Sequence, residues 1–318
     1  MKKILILGGT GFVGRHVCEK LARVPCRVTL VTRRDINASH LQMLPMINVV
    51  SADIHDTVQL ERLVAGHDAV INLIAILHGN EASFNQVHVE FPEKLAHACR
   101  AAGVKRLIHI SALGASLKAS SMYQRSKARG ELVLRTAGLD LTLLRPSVIF
   151  GAGDQFLTLF AKLQQLFWVT PLAGANTRFQ PVWVQDVAQA VVRCLQDDAT
   201  IGQTYELYGP DVFTLREMVR YAGCLSGAGH GRGRPVLALS DSLARLQVAL
   251  LSLAPGTPLM SQDNLASMKT DNVSDGFLPG LKALGITPTS LPAIAPSYLS
   301  PRGLRSPFQE LRKSAGRS

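Results

Sequence analysis

Cysteine pairing cannot organise this chain. Its five cysteines, Cys18, Cys26, Cys99, Cys194 and Cys224, are scattered, odd in number and without a CxxC spacing, which argues for reduced thiols in a cytosolic setting and against a zinc site. Long apolar runs are lacking too. Met1-Lys2-Lys3 is followed only by Ile4 to Leu7 before glycines begin, too brief a run for a signal-peptide core, so no export is read. The longest apolar-leaning stretch, 236–254, contains Asp241, Arg245 and Gln247 and fails the requirement of about 20 uninterrupted apolar residues for a membrane span. Aromatic residues make up 6% of the chain, and no strip of them interleaves with basic residues, which argues against a nucleic-acid partner. His88, His97 and His109 lack close metal-ligand spacing and read as core or surface histidines, so no metal site is expected. There is no internal repeat and no extended low-complexity tract.

What remains is an ordinary folded composition. The 318 residues with 47% hydrophobic and 18% charged content suffice for one large domain or two modest ones and exclude a disordered chain. Lys and Arg number 34 against 23 Asp and Glu, a net +11, which favours anionic partners: nucleotide phosphates, nucleic acid or acidic lipid. Arg302, Arg305, Arg312, Lys313 and Arg317, set against Glu310 alone among several prolines and glycines, read as a loose basic tail over 299–318.

Apolar runs at 3–7, 28–31, 69–74, 104–110 and 141–144 alternate with helix-like segments near 57–65, 86–101 and 124–137. Strands that are apolar throughout and alternate with helices predict an α/β fold with a doubly wound parallel sheet covered on both faces. After about Gly151 the elements shorten and Gly/Pro-rich connections multiply. The expected organisation is a core over 1–154, to which segments around 179–200 return, a smaller region over 155–298, and the tail.

Gly8-Gly9-Thr10-Gly11-Phe12-Val13-Gly14 follows the first strand directly and opens a helix-like stretch. Glycines at 8, 11 and 14 permit a tight turn, leave backbone N–H groups open to a pyrophosphate and let the helix pack closely on the strand, while the helix N-terminus attracts the anion. The turn reads as a dinucleotide site. An acidic residue ending the second strand would select NAD, whereas arginine suits a 2′-phosphate. Here the strand ends Val31-Thr32-Arg33-Arg34, so Arg33 and Arg34, with Arg15, favour NADP(H); Asp35 keeps NAD(H) open. Asp53 lies where a third strand ends and is positioned either for the adenine amino group or to cap the next helix.

Tyr123 and Lys127 stand at i and i+4 in Tyr-Gln-Arg-Ser-Lys, one face of a helix. A neighbouring ammonium is expected to favour phenolate and lower the tyrosine pKa, making Tyr123 an acid/base, with Lys127 also available to the nicotinamide ribose. Ser111, ending the strand before it, would orient a substrate carbonyl or hydroxyl. A helix entered at Ser240 or Asp241 would place Leu243, Leu246, Leu250 and Leu253 on one face, packed on the small domain or laid on a membrane surface.

Gly8-x-x-Gly11-x-x-Gly14, Asp53, Ser111, Tyr123-x-x-x-Lys127 and the Leu-Arg-Pro-Ser-Val-Ile-Phe-Gly run at 144–151 together resemble the extended and atypical short-chain dehydrogenase/reductase (SDR) superfamily. Phe-Gln-Pro-Val-Trp-Val-Gln-Asp-Val-Ala at 179–188, Ser261-Gln262-Asp263-Asn264-Leu265 and Asp271-Asn272-Val273 are similar to the branch containing the SDR-fold accessory subunit of respiratory complex I and its bacterial homologues. The resemblance covers about 1–290. It implies a Rossmann core holding NADP(H), a small C-terminal domain closing over the nicotinamide, and Ser111, Tyr123 and Lys127 at the catalytic positions. Besides the three glycines, the arginines and Asp53, it implies that Thr10, Phe12, Val13, Ile54, Ala75 and Pro146 line the cofactor. In this branch the nucleotide is often structural, and association with a membrane complex, its assembly or quinone metabolism is implied; a Ser-Tyr-Lys reductase or epimerase/dehydratase acting on a small carbonyl is the alternative. A cytoplasmic location follows, or a peripheral one on the inner face of the inner membrane, where the complex or an anionic lipid surface would be the partner. Two positions depart from the branch's Val-Asn-Val-Glu-Gly pattern: His88 stands for its asparagine and Phe91 for its glycine, which implies a remodelled helix near the site.

Overall fold

The computed structural model describes residues 1–33, 38, 41–240, 242–245, 247 and 261–300. Arg34, Asp35, most of the 246–260 stretch and the tail beyond 300 lie outside the described residues.

Seven strands form one parallel sheet: β1 (Lys2–Leu7), β2 (Cys26–Thr32), β3 (Ile47–Ser51), β4 (Ala69–Asn72), β5 (Arg106–Ile110), β6 (Asp140–Pro146) and, after four shorter strands, β11 (Thr204–Leu207). Their spatial order is β11-β6-β5-β4-β1-β2-β3, every neighbouring pair parallel. The order reverses between β1 and β4, and in sheets wound this way a crevice opens there beyond the carboxyl ends of the strands.

The reason β1 reads as an unbroken apolar run is visible in where its side chains go. Ile4 and Ile6 enter one core and Leu5 and Leu7 the other, all fully buried, because successive side chains of a strand point to opposite faces. Each contributes roughly 1.5–3 kcal/mol by leaving water. The first core is closed by α1 (Phe12–Leu21) and α7 (Val184–Gln196), through Val17, Leu21, Val187 and Val191; the second by α2 (Thr57–Val64), α4 (Phe91–Ala101) and α5 (Met122–Arg135), through Leu60, Leu95 and Leu134.

The later chain returns to the sheet at α7, at β11, and again where Leu281 and Leu284 join the first core. β11 is a sheet member that the composition of 204–207 does not announce. A third core packs α6 (Phe156–Leu166) against α8 (Leu215–Leu225), with Leu291, Ala295 and Leu299. Short strands decorate it: β8 (Thr170–Leu172) pairs with β13 (Val236–Ala238). The predicted 86–101 helix is two pieces, a π-helical turn at Gln86–Glu90 and then α4. The helix of the 240–254 region is seen at 242–245 and 247, where Leu243 is exposed instead of packed; Leu246, Leu250 and Leu253 fall outside the described residues. Among the described residues no helix is long and apolar enough to cross a membrane.

Candidate functional site

The crevice is lined by the carboxyl ends of β1 to β6. At its centre the 8–14 turn joins β1 to α1. Gly8 sits at φ +82°, a left-handed conformation open to glycine, and the Gly11 N–H donates to the Gly8 carbonyl at 3.1 Å. A Cβ at Gly14 would collide with the Gly8 carbonyl oxygen and with Gly9, so helix and turn lie in contact there. A Cβ at Gly11 would meet only the Gly8 oxygen, at 3.3 Å, and otherwise stand in the open crevice. Gly11 is also the N-cap of α1 and provides no side-chain cap, so first-turn N–H groups of the helix face an anion site. A cradle that a Cβ would fill, at a helix N-terminus, is what a pyrophosphate requires. Thr10, Phe12 and Val13 are half-buried along this turn.

Arg33 is exposed at the end of β2. The Arg15 guanidinium donates to the Ala152 carbonyl at 2.5 Å and lies 5.5 Å from the Phe12 ring centroid. Asp53 is exposed and accepts from the His55 N–H at 2.9 Å, a local turn; the cap of α2 is Asp56, which accepts from Val58 and Gln59. Ile54 directs its side chain into the second core, leaving its backbone for any ligand. Ala75 is exposed just beyond β4, and Pro146 is buried at the end of β6.

Lys127 meets the end of β5 beside Ser111, and Tyr123 stands one turn earlier on α5 with its ring against His88 and Phe84. Lys127 is 1% exposed, and its ammonium donates to the Ile110 carbonyl at 2.7 Å, beside Ser111. Burial lowers its pKa to about 8 against the opposing pull of Glu131, one turn further along α5. The Ser111 hydroxyl is buried and without a hydrogen-bond partner among the described residues. Such orphans are uncommon in folded chains. For Tyr123 the expectation reverses: burial pushes its phenol up to about 12. The Lys127 ammonium is held at the Ile110 carbonyl, and removal from water governs both groups.

His88 completes the cluster, and its tautomer follows from its partners. The Ile76 N–H donates to Nε2 at 3.1 Å, so the ring proton is on Nδ1 and donates to Ser126 Oγ at 2.8 Å; Ser126 in turn donates to the Tyr123 carbonyl at 2.8 Å. The ring stacks on Phe84 and meets Tyr123 edge-on, centroids 5.6 and 5.5 Å away. The carbonyl of His88 occupies the space a Cβ at position 130 would need, which is why glycine stands there on α5. The π-helical turn thus lets one residue brace the β4 loop, α5 and the Tyr123 ring. A second buried histidine, His109, accepts from the Asn72 amide through Nδ1 at 3.1 Å, the Asn72 oxygen being engaged by the Ile74 N–H.

Burial lowers the His88 pKa from 6.5 to about 3. Between those values the unfolded chain binds a proton that the folded chain does not, so stability falls as pH drops through 6.5 towards 3. For this group the loss from pH 7 to pH 5 is about 2 kcal/mol. Urea unfolding at the two pH values should show a drop smaller by about that amount in His88→Asn. An equal drop in both proteins would contradict the buried neutral assignment.

Residues far along the chain hold α5 in place. Asp263, 7% exposed, accepts from the Ser121 hydroxyl at 2.8 Å, the Met122 N–H at 2.5 Å and the Tyr123 N–H at 3.0 Å. Its own short helix, Gln262–Ser267, is fixed by a capping box between Ser261 and Asn264, and Ser120 donates to the Ala266 carbonyl at 2.6 Å. At the other end Arg145 grips Glu131 with two bonds, of 2.9 and 2.6 Å. Asn272 accepts from Ser147 at 2.6 Å and donates to the Leu113 carbonyl at 3.2 Å. Sequence reasoning marks 261–265 and 271–273 as a family-like pattern but assigns them no task; the signal is a carboxylate whose targets lie 140 residues away.

A family model described as the NAD dependent epimerase/dehydratase family matches residues 4–207. The chain is 33% identical over 296 residues to the mitochondrial NADH dehydrogenase [ubiquinone] 1 alpha subcomplex subunit 9 of Mus musculus, covering 90% of this chain and 76% of that one. It is 30% identical over 227 residues to a ceramide reductase of Caulobacter vibrioides, 71% of each chain. Among solved structures, an NADPH-dependent quinone oxidoreductase from Escherichia coli complexed with NADPH superimposes with a TM-score of 0.76 at 22% identity, over 93% of this chain and 99% of that one.

Proposed function

The chain belongs to the NAD dependent epimerase/dehydratase family, and from that premise we propose that it binds NADP(H) and acts in the association or assembly of a respiratory membrane complex, or in quinone metabolism. The observation that carries the reading is the 8–14 turn, where Gly14 lets α1 pack directly on Gly8 and Gly9 and Gly11 leaves open space and no side-chain cap at the α1 N-terminus. Gly8, Thr10, Gly11, Phe12, Val13 and Gly14 would hold the pyrophosphate, Arg33 the 2′-phosphate, Asp53 and the Ile54 backbone the adenine side, and Ala75, Pro146, Tyr123 and Lys127 the nicotinamide side. The 33% identity to the complex I subunit across 90% of the chain supports the membrane-complex role, and the 155–298 region is the part that would close over the nicotinamide and dock.

The choice of NADP(H) over NAD(H) rests on Arg33, whose planar guanidinium can grip a phosphate with two hydrogen bonds. Arg33→Ala should weaken NADPH binding about tenfold, the scale of a charge-assisted bond, and leave NADH binding within about twofold. Fluorescence titration with the two coenzymes measures both. Equal losses for the two would contradict the assignment.

A second reading, a reductase or epimerase/dehydratase, is favoured by one observation: the unpartnered buried hydroxyl of Ser111 beside Lys127. When bound, the nicotinamide supplies or takes up a hydride. In that reading Ser111 turns its free hydroxyl to a substrate oxygen, Tyr123, kept protonated by burial, holds the proton to be transferred, and Lys127 is available to the nicotinamide ribose. Whether the purified chain oxidises NADPH when quinones or carbonyl metabolites are offered separates the two.

A further inference from the structure

An exposed apolar feature lies where α6 hands over to β8. Leu166, Phe167, Trp168 and Val169 are consecutive and 72, 48, 78 and 46% exposed. Leu237, on β13 in register with Pro171 of β8, is 58% exposed, and Leu243 follows it at 54%. Single exposed apolar side chains are ordinary; a run of four beside two more is not.

The feature is built. Gln164, fully buried, donates to Thr170 Oγ1 at 2.8 Å and accepts from the Arg234 N–H at 2.6 Å, clamping the 166–169 corner to the adjacent loop. The Arg234 guanidinium lies over the Trp168 ring, 4.5 Å from its centroid. Most of the charge around it is positive: Arg232, Arg220, Arg245 and Lys162 are exposed, while of the carboxylates Glu217 is engaged in the capping box with Thr214 of α8 and Asp241 lies outside the described residues.

We infer that this corner is a seat on an anionic phospholipid bilayer. Tryptophan and phenylalanine enter the boundary between headgroup and acyl chain, and the arginines around them, Arg234 alongside the indole, meet lipid phosphates. No ion pair engages Arg220, Arg232, Arg234 or Arg245 among the described residues, and a rim of such arginines fits a sheet of lipid phosphates. The inference deepens the membrane-side role proposed above and is independent of the cofactor: a chain that bound vesicles but no nucleotide would uphold it and overturn the NADP(H) reading.

The test is flotation of the full chain with phosphatidylglycerol/phosphatidylcholine vesicles and with phosphatidylcholine alone, using wild type, Phe167→Ser/Trp168→Ser and a chain lacking 301–318. The wild type should float with the anionic vesicles and far less with the neutral ones. The double variant should lose about tenfold or more in partitioning, given the apolar area withdrawn, with its melting temperature unchanged because both side chains are exposed. In Trp183→Phe, which leaves Trp168 as the sole tryptophan, emission should shift to the blue on adding anionic vesicles. Partitioning untouched by the double variant, or abolished by loss of the tail alone, or absent altogether, overturns the inference.

Discussion

Gly11→Val is expected to weaken dinucleotide binding by at least about 100-fold, or about 2.7 kcal/mol, while the apoprotein melts within a few degrees of wild type. The separation follows from two neighbouring glycines with different surroundings. Gly11 has ordinary extended dihedrals, φ −74° and ψ 177°, and an added Cβ touches only the Gly8 oxygen at 3.3 Å. The cost to the fold is therefore small, and the new side chain stands where the pyrophosphate approaches the helix. Gly14→Ala should do the opposite first. Its Cβ meets backbone of Gly8 and Gly9, which has no flexible end to yield, so α1 must move off β1 at a cost of about 1–3 kcal/mol. Calorimetric melting and nucleotide titration of both variants separate the two effects. If Gly11→Val bound nucleotide as wild type does, the turn would not be the phosphate seat.

Asp263→Ala is expected to destabilise the chain by about 2–4 kcal/mol, since three neutral donors lose a charged acceptor and each buried donor left unsatisfied costs about 1–3 kcal/mol. Three donors converge on this carboxylate, two of them backbone N–H groups at the start of α5, where the helix dipole also favours a negative charge. Losing it leaves those donors unpaired and buried, and the hydrogen bond that holds Tyr123 at its own N–H disappears. Asp263→Asn keeps an acceptor and loses the charge, so its effect should be roughly half. With about 2.1 cal/mol/K of unfolding entropy per residue, a change of 4 kcal/mol shifts the midpoint of a chain this size by about 6 °C. Denaturant unfolding supplies the energies. Dinucleotide affinity should fall along with stability, since Tyr123 and Lys127 ride on the helix that Asp263 fixes. A melting temperature unchanged in Asp263→Ala would show that the α5 start is held by Ser121 alone.

How far the sequence leads depends on whether the deciding interaction is local. The 8–14 turn is legible because one buried strand and one helix flank it directly, and the spacing of its glycines states which backbones must touch. The apolar runs at 28–31, 69–74, 104–110 and 141–144 appear as β2, β4, β5 and β6 because strands buried on both faces need no alternation. The Tyr123/Lys127 pairing on one helix face is legible for the same reason. The direction of the Tyr123 pKa is not: it depends on how much water reaches the phenol, and that is set by His88 and Phe84 packing against it. Asp53 and Asp56 are chemically equal candidates for a cap three residues apart, and only the path of the turn chooses Asp56. β11 joins the sheet through partners on β6 that no window of sequence contains. Asp263 and Asn272 are the extreme case, holding the crevice from the far end of the chain. The apolar corner at 166–169 hides in the sequence because Leu-Phe-Trp-Val reads equally well as core.

Calorimetric titration of nucleotide-stripped wild-type chain with NADPH tests the central claim most directly. One molecule bound per chain, with the heat abolished in Gly11→Val, is the expected result. Absence of heat with both NADPH and NADH, in a chain that melts cooperatively, would contradict it.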